Sequence, residues 1–202
     1  MKLLFSDALP RRHHESVGTQ GVRAIGRGII AGLVGGLLFT LVMLRIGILP
    51  TVAGLVGSSS ALTGLFVHLG ISILVGVSYG FLFRAQSYDL GSALEWGVSY
   101  GFFWWVLGPL TLMPVLLGEV PQWTTQAAAD TFAALIGHLV YGAALGVTFY
   151  GLEARYSPWW IPHTEVEAAR VASRKEQVLT ASPALWVQVI VIALILPMLL
   201  GG

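Results

Sequence analysis

Two histidines stand in stretches that are otherwise apolar. "LFVHLGISILVGVSYG", Leu65 to Gly80, holds His68, and "LIGHLVYGAALGVTFYG", Leu135 to Gly151, holds His138. Each is followed by Leu, by Gly eight residues on, and then by Val-Ser-Tyr or Val-Thr-Phe. An imidazole can ligate haem iron, relay a proton or make hydrogen bonds from either ring nitrogen. An ionisable side chain inside an apolar span is a functional candidate by default. The competing reading is structural, a neutral imidazole that cross-links helices for about 0.6 kcal/mol. Ser72 and Tyr141, one turn from the two histidines, are candidate partners for those bonds.

Three functional chemistries fit the pair. The first is a b-type haem held by His68 and His138 as axial ligands, with Gly76 and Gly142 leaving space for the ring; Gly146 is a further supporting position of the site. The second is an ion, solute or proton path, to which the polar residues Arg45, Glu95 and Asp130 would contribute. In that reading Arg45 snorkels to headgroups or meets an acid, and Asp130 caps the start of the fourth span. The third is an accessory or assembly subunit of a larger membrane complex.

The elements that must position these residues follow from composition. Of 202 residues, 55% are hydrophobic and 10% charged, against about 25% charged in a soluble domain. Mean hydropathy is +0.78. A spanning helix needs about 20 mainly apolar residues. Five stretches qualify: Gly28–Leu49, Ala61–Phe83, Ala93–Met113, Thr131–Leu152 and Pro183–Leu200. The expected fold is an all-α integral membrane protein of five transmembrane helices.

The spans repeat. Gly32-x-x-x-Gly36, Pro50-x-x-x-Gly54-x-Val56 and His68 are matched by Gly97-x-x-x-Gly101, Pro114-x-x-x-Gly118-x-Val120 and His138. The second copy has an outer loop about six residues longer, which a loop tolerates. A duplicated two-helix hairpin with both copies in the same orientation has its pseudo-two-fold along the membrane normal. The expected organisation is a basic cytoplasmic tail (1–27), two hairpins (28–83 and 93–152), a polar cytoplasmic segment (153–182) and a fifth helix (183–200).

Residues four apart give each hairpin helix a small-residue face. These are Gly28, Gly32, Gly36 and Thr40, then Gly64, His68, Ser72, Gly76 and Gly80. The second copy has Ala93, Gly97, Gly101 and Trp105, then Ala134, His138, Gly142, Gly146 and Tyr150. Small residues let membrane helices approach closely, so these faces are expected to pack on protein.

Basic residues set the expected orientation. Lys2, Arg11, Arg12, Arg23 and Arg27 precede span one, Arg84 follows span two, and Arg155, Arg170, Arg174 and Lys175 follow span four. That places the N-terminus in the cytoplasm and the C-terminus outside. Trp96, Tyr156, Trp159, Trp160 and Trp186 would form an aromatic belt at the cytoplasmic interface. Thr164 and Glu167 form a capping box for a short polar helix over His163–Leu179.

Other classes lack support. The chain has no Cys, so disulfides and thiolate metal sites are excluded. A net charge of +1 gives no reason to expect nucleic acid. HExxH, G-x-S-x-G and phosphate-loop motifs are missing, so no enzyme is expected. "RRHHE", Arg11 to Glu15, is expected to be a mobile basic tail rather than a metal site.

The opening Gly-rich helix "GIIAGLVGGLLFTLVM", the outer-loop Pro and the two His-Leu segments resemble YagU-like small bacterial membrane proteins over about residues 26–152. The resemblance implies a multi-pass protein of the bacterial inner membrane, in contact with the lipid bilayer. It carries no chemistry over. The chain departs from the pattern in having two full copies, a fifth helix and a polar cytoplasmic segment. A homo-oligomer or a larger membrane complex is the expected partner class.

Overall fold

The computed structural model describes residues 17–83, 87 and 89–155, with no strand among them. The helices are α1 (Val17–Ile46), α2 (Leu49–Ala53), α3 (Ala61–Phe83), α4 (Leu90–Leu107), α5 (Met113–Leu116), α6 (Thr125–Asp130) and α7 (Phe132–Arg155). A 3-10 turn, Gly54–Val56, extends α2, and a π-helical turn, Gly108–Leu112, joins α4 to α5. Four stretches are long and apolar enough to cross a membrane: Val22–Ile46, Ala61–Phe83, Leu90–Leu116 and Phe132–Glu153. The expected fifth span, the polar segment and the aromatic residues after position 155 lie outside the described residues, as does the tail up to residue 16.

The apolar composition shows why these helices suit lipid. Leu37, Leu41 and Leu44 on α1, and Phe66 and Leu74 on α3, are exposed. In water such a surface would be unstable; in hydrocarbon it is the expected outer face. The buried sides of the helices combine small residues with large ones such as Phe39, Tyr79, Trp105 and Phe149.

Those small residues set the packing. α1 packs antiparallel on α3 and on α7, and α4 packs on α7. A methyl placed on Gly28 would lie 2.6 Å from the Gly76 carbonyl oxygen. One on Gly32 would overlap the Ser72 carbonyl, and one on Gly36 would come 2.6 Å from Ser72 Oγ. Between α4 and α7, Gly97 stands against Gly142 and Gly146, and Gly101 against His138 and Gly142. Backbones this close gain dispersion contacts that larger residues would prevent. Every glycine named for the α1 and α4 faces is buried, with Thr40, Ala93 and Trp105.

The connection after α1 departs from the loop expected there. Gly47, at φ +72°, ends α1, and Pro50 then sits in the first turn of α2. Pro suits that position because its missing N–H would have no helical partner. α2 folds back on α3, so closely that Gly64 has no room for a methyl beside the Leu49 carbonyl. Leu49, Val52 and Ala53 are buried there.

The third span is also irregular. Pro109 cannot donate a helical hydrogen bond, and the helix widens into the π turn at that point. Thr111 Oγ1 donates to the Val106 carbonyl at 2.8 Å, so its hydroxyl is satisfied within the span. At the other end, α4 begins with a reciprocal cap between Asp89 and Ser92.

The backbones of α3 and α4 stay apart, bridged by side chains. Near the end of α3 and the start of α4, Tyr79, Phe83, Trp96, Tyr100 and Phe149 form an aromatic plug. Phe83 lies 4.8 Å from Trp96 and 5.3 Å from Tyr100 between ring centroids. Tyr100 shares a hydrogen bond of 2.6 Å with Ser78. Trp96 therefore belongs to the core, not to a lipid-facing belt; it is buried under Phe83.

Candidate functional site: a cavity between the two histidines

Away from the plug, the space between α3 and α4 is not filled. A cavity of about 260 Å³ opens there, floored by α1 and α7. Its lining is mainly apolar: Met43, Val52, Val75 and Leu112 are typical. The polar contributions come from His68, Ser72, Trp104, His138 and Tyr141. The structure thus brings both histidines, Ser72 and Tyr141 to one place.

The two imidazoles are separated by a third ring. Phe39 of α1 stands edge-on to both, with centroids 5.2 Å from His68 and 4.6 Å from His138. Gly137 makes room for it: a side chain there would collide with the Phe39 ring. Phe39 was not among the residues expected at the site. Its sequence signal is its position, three residues after Gly36 on the buried stripe of α1.

The histidines use their nitrogens differently. His68 Nε2 is 3.0 Å from the Gly36 carbonyl oxygen, across the α3–α1 contact. His138 Nδ1 is 2.8 Å from the Ala134 carbonyl oxygen on its own helix. A carbonyl only accepts, so the bonded nitrogen must carry the proton in each case. A neutral His68 is then the Nε2–H tautomer, and a neutral His138 the Nδ1–H tautomer. The second nitrogen of each ring keeps its lone pair.

Ser72 and Tyr141 were expected to pair with the histidines and instead pair with each other. Tyr141 donates its hydroxyl to the Ser72 main-chain oxygen at 2.8 Å. Gly76, Gly142 and Gly146 lie on the glycine contacts rather than along the cavity wall. That space is taken by neighbouring backbone. A metal centre has little to build on: no group of three His, Cys, Asp or Glu side chains gathers among the described residues.

Arg45, Glu95 and Asp130 do not line the cavity. Arg45 is exposed in the last turn of α1, where a cation suits the helix dipole. Glu95 is half-buried in the second turn of α4, beside the plug. Asp130 closes α6 and accepts from Gln126 Nε2 at 2.8 Å, so it does not cap the fourth span as expected. Arg27 Nη1 donates to Glu153 Oε2, tying α1 to α7 at the plug end.

Trp104 is the feature that sequence reasoning missed most completely. It lines the cavity, and its Nε1–H is buried without a well-formed hydrogen bond. The ring lies edge-on to Tyr100 at 6.0 Å; the Tyr100 hydroxyl, which shares a hydrogen bond with Ser78, also interacts with the Trp104 donor, though not in the geometry of a well-formed hydrogen bond. A buried donor left unmade costs about 1–3 kcal/mol, so native structures keep few of them. The π turn begins four residues later, and such turns frequently mark functional sites.

No protein-family model, curated protein or solved structure matches the chain.

Proposed function

We propose that this chain is a small, non-catalytic, multi-pass membrane module that holds a small apolar ligand between two helical hairpins. The observation that carries the reading is the 260 Å³ cavity, walled by α3 and α4 and containing one buried donor without a well-formed hydrogen bond. Ligand pockets are typically concave, mostly apolar and furnished with a few polar groups. A dry apolar cavity of about 150 Å³ binds benzene, so this one suits a molecule of about ten non-hydrogen atoms.

The two hairpins are copies in this reading, and a fifth span over 183–200 completes the bundle. The matched contacts support duplication: Gly32 with Ser72 and Gly76 corresponds to Gly97 with Gly142 and Gly146. The basic residues then place the N-terminus in the cytoplasm and the C-terminus outside. The YagU-like resemblance adds a bacterial inner membrane.

Haem is the weaker reading. Phe39 stands between the imidazoles, and His68 Nε2 is engaged by Gly36. A subunit role in a larger complex is compatible with a ligand-holding module and does not compete with it.

The test is thermal unfolding of the full chain in mild detergent, with and without saturating decane. Wild type is expected to be stabilised by the hydrocarbon. Leu112→Trp, which places a large ring at the cavity mouth, is expected to abolish the shift. Equal shifts in both proteins, or none in wild type, would sink the reading. An absorption spectrum of the same preparation, grown with haem available, is expected to show tryptophan absorption alone. A Soret band lost in His68→Ala would reinstate the haem alternative.

A further inference from the structure

The polar groups of the cavity define the ligand more narrowly than its volume does. Trp104 offers a donor, its buried Nε1–H, which makes no well-formed hydrogen bond and is met only loosely by the Tyr100 hydroxyl. His138 offers an acceptor, because Nδ1 carries the proton given to Ala134 and Nε2 keeps a lone pair. Gly108 keeps the Nε2 side clear: a methyl added there would stand in van der Waals contact with that nitrogen, at 3.8 Å. An occupant that satisfies both groups must donate to one and accept from the other.

We infer that the ligand is an uncharged, lipid-soluble alcohol or phenol whose hydroxyl accepts from Trp104 Nε1–H and donates to His138 Nε2. This inference rests on the cavity being a ligand site, as proposed above. A ketone or ester satisfies Trp104 alone, and a hydrocarbon satisfies neither group. A charged headgroup is excluded by the lining, which offers no ionised side chain to compensate a buried charge. Entry is from the bilayer. The backbones of α3 and α4 are apart, and Ile71, Leu112 and Leu116 at the gap are exposed and apolar.

The cavity also explains why the two histidines differ. His68 spends its proton on a neighbouring helix, which fixes the α1–α3 contact. His138 bonds within α7, so its ring can be turned toward a ligand without untying a helix pair. One copy holds the frame and the other meets the occupant.

The experiment titrates the full chain in detergent with decane, decan-2-one and decan-1-ol, reading the midpoint of thermal unfolding. Each hydrogen bond is expected to tighten half-saturation about fivefold, so the order is alcohol, then ketone, then hydrocarbon. His138→Phe is expected to remove the alcohol's advantage over the ketone. Trp104→Phe is expected to remove the ketone's advantage over the hydrocarbon. Gly108→Ala, a milder change at the same nitrogen, is expected to weaken the alcohol alone and serves if His138→Phe does not fold. Three probes that half-saturate together in wild type, all blocked by Leu112→Trp, would overturn the hydroxyl inference and leave the cavity reading intact. No shift with any probe would overturn both.

Discussion

Tyr141 donates its phenolic hydrogen to the main-chain oxygen of Ser72 at 2.8 Å, joining α7 to α3 across the centre of the bundle. The bond matters because the backbone of α3 packs on α1 and α2, and its other contacts with α7 run through the aromatic plug at Tyr79 and Phe149. Ser72 oxygen lies mid-helix, where the helical ladder already supplies one donor, so losing the tyrosine strands nothing. Tyr141→Phe is therefore expected to cost only the bond, about 0.6–1.7 kcal/mol in a membrane. Unfolding in mixed micelles would measure it. Stability unchanged within about 0.3 kcal/mol would mean that the contact does not bind the hairpins together.

Much of this framework was legible from four-residue spacing. The ridges through Gly32, Gly36, Gly97 and Gly101 are buried as expected, because a lipid-facing surface does not require small residues and a close helix contact does. The cavity was not legible. Its making depends on Phe39 filling the gap between two histidines, and on Pro109 turning the end of α4. Pro109 stands within span three, but its consequence for Trp104 requires the helices in place. The pairing of Ser72 with Tyr141 was likewise hidden, since each stands within a turn of a histidine in sequence and reaches across the bundle in space. Trp96 shows the same limit: an aromatic near a span end reads as an interface residue until a partner such as Phe83 covers it.

Buried and exposed glycines of the spanning helices should respond oppositely to alanine. Gly32 and Gly97 face carbonyl oxygens of Ser72 and Gly142, with no room for a methyl. Gly32→Ala and Gly97→Ala are each expected to cost about 1–3 kcal/mol through overpacking. Gly26 and Gly70 meet nothing within 4 Å of an added methyl. Gly26→Ala and Gly70→Ala are expected to be neutral or to stabilise by up to about 1 kcal/mol, through reduced backbone freedom. If all four variants lose stability equally, helix contact is not what the buried glycines provide.

The histidines should display opposite tautomers at neutral pH. His68 donates from Nε2 to Gly36, and His138 donates from Nδ1 to Ala134. Long-range proton–nitrogen spectra of histidine-labelled protein distinguish the two forms, with His68→Phe and His138→Phe assigning the signals. The expected spectrum has a protonated Nε2 for His68 and a protonated Nδ1 for His138. Decan-1-ol should then perturb the bare Nε2 of His138 and leave the Nε2–H of His68 in place. A His138 ring protonated at Nε2 would turn an acceptor into a second donor beside Trp104. The cavity would then favour a carbonyl over a hydroxyl, and the order of the three ten-carbon probes would change with it.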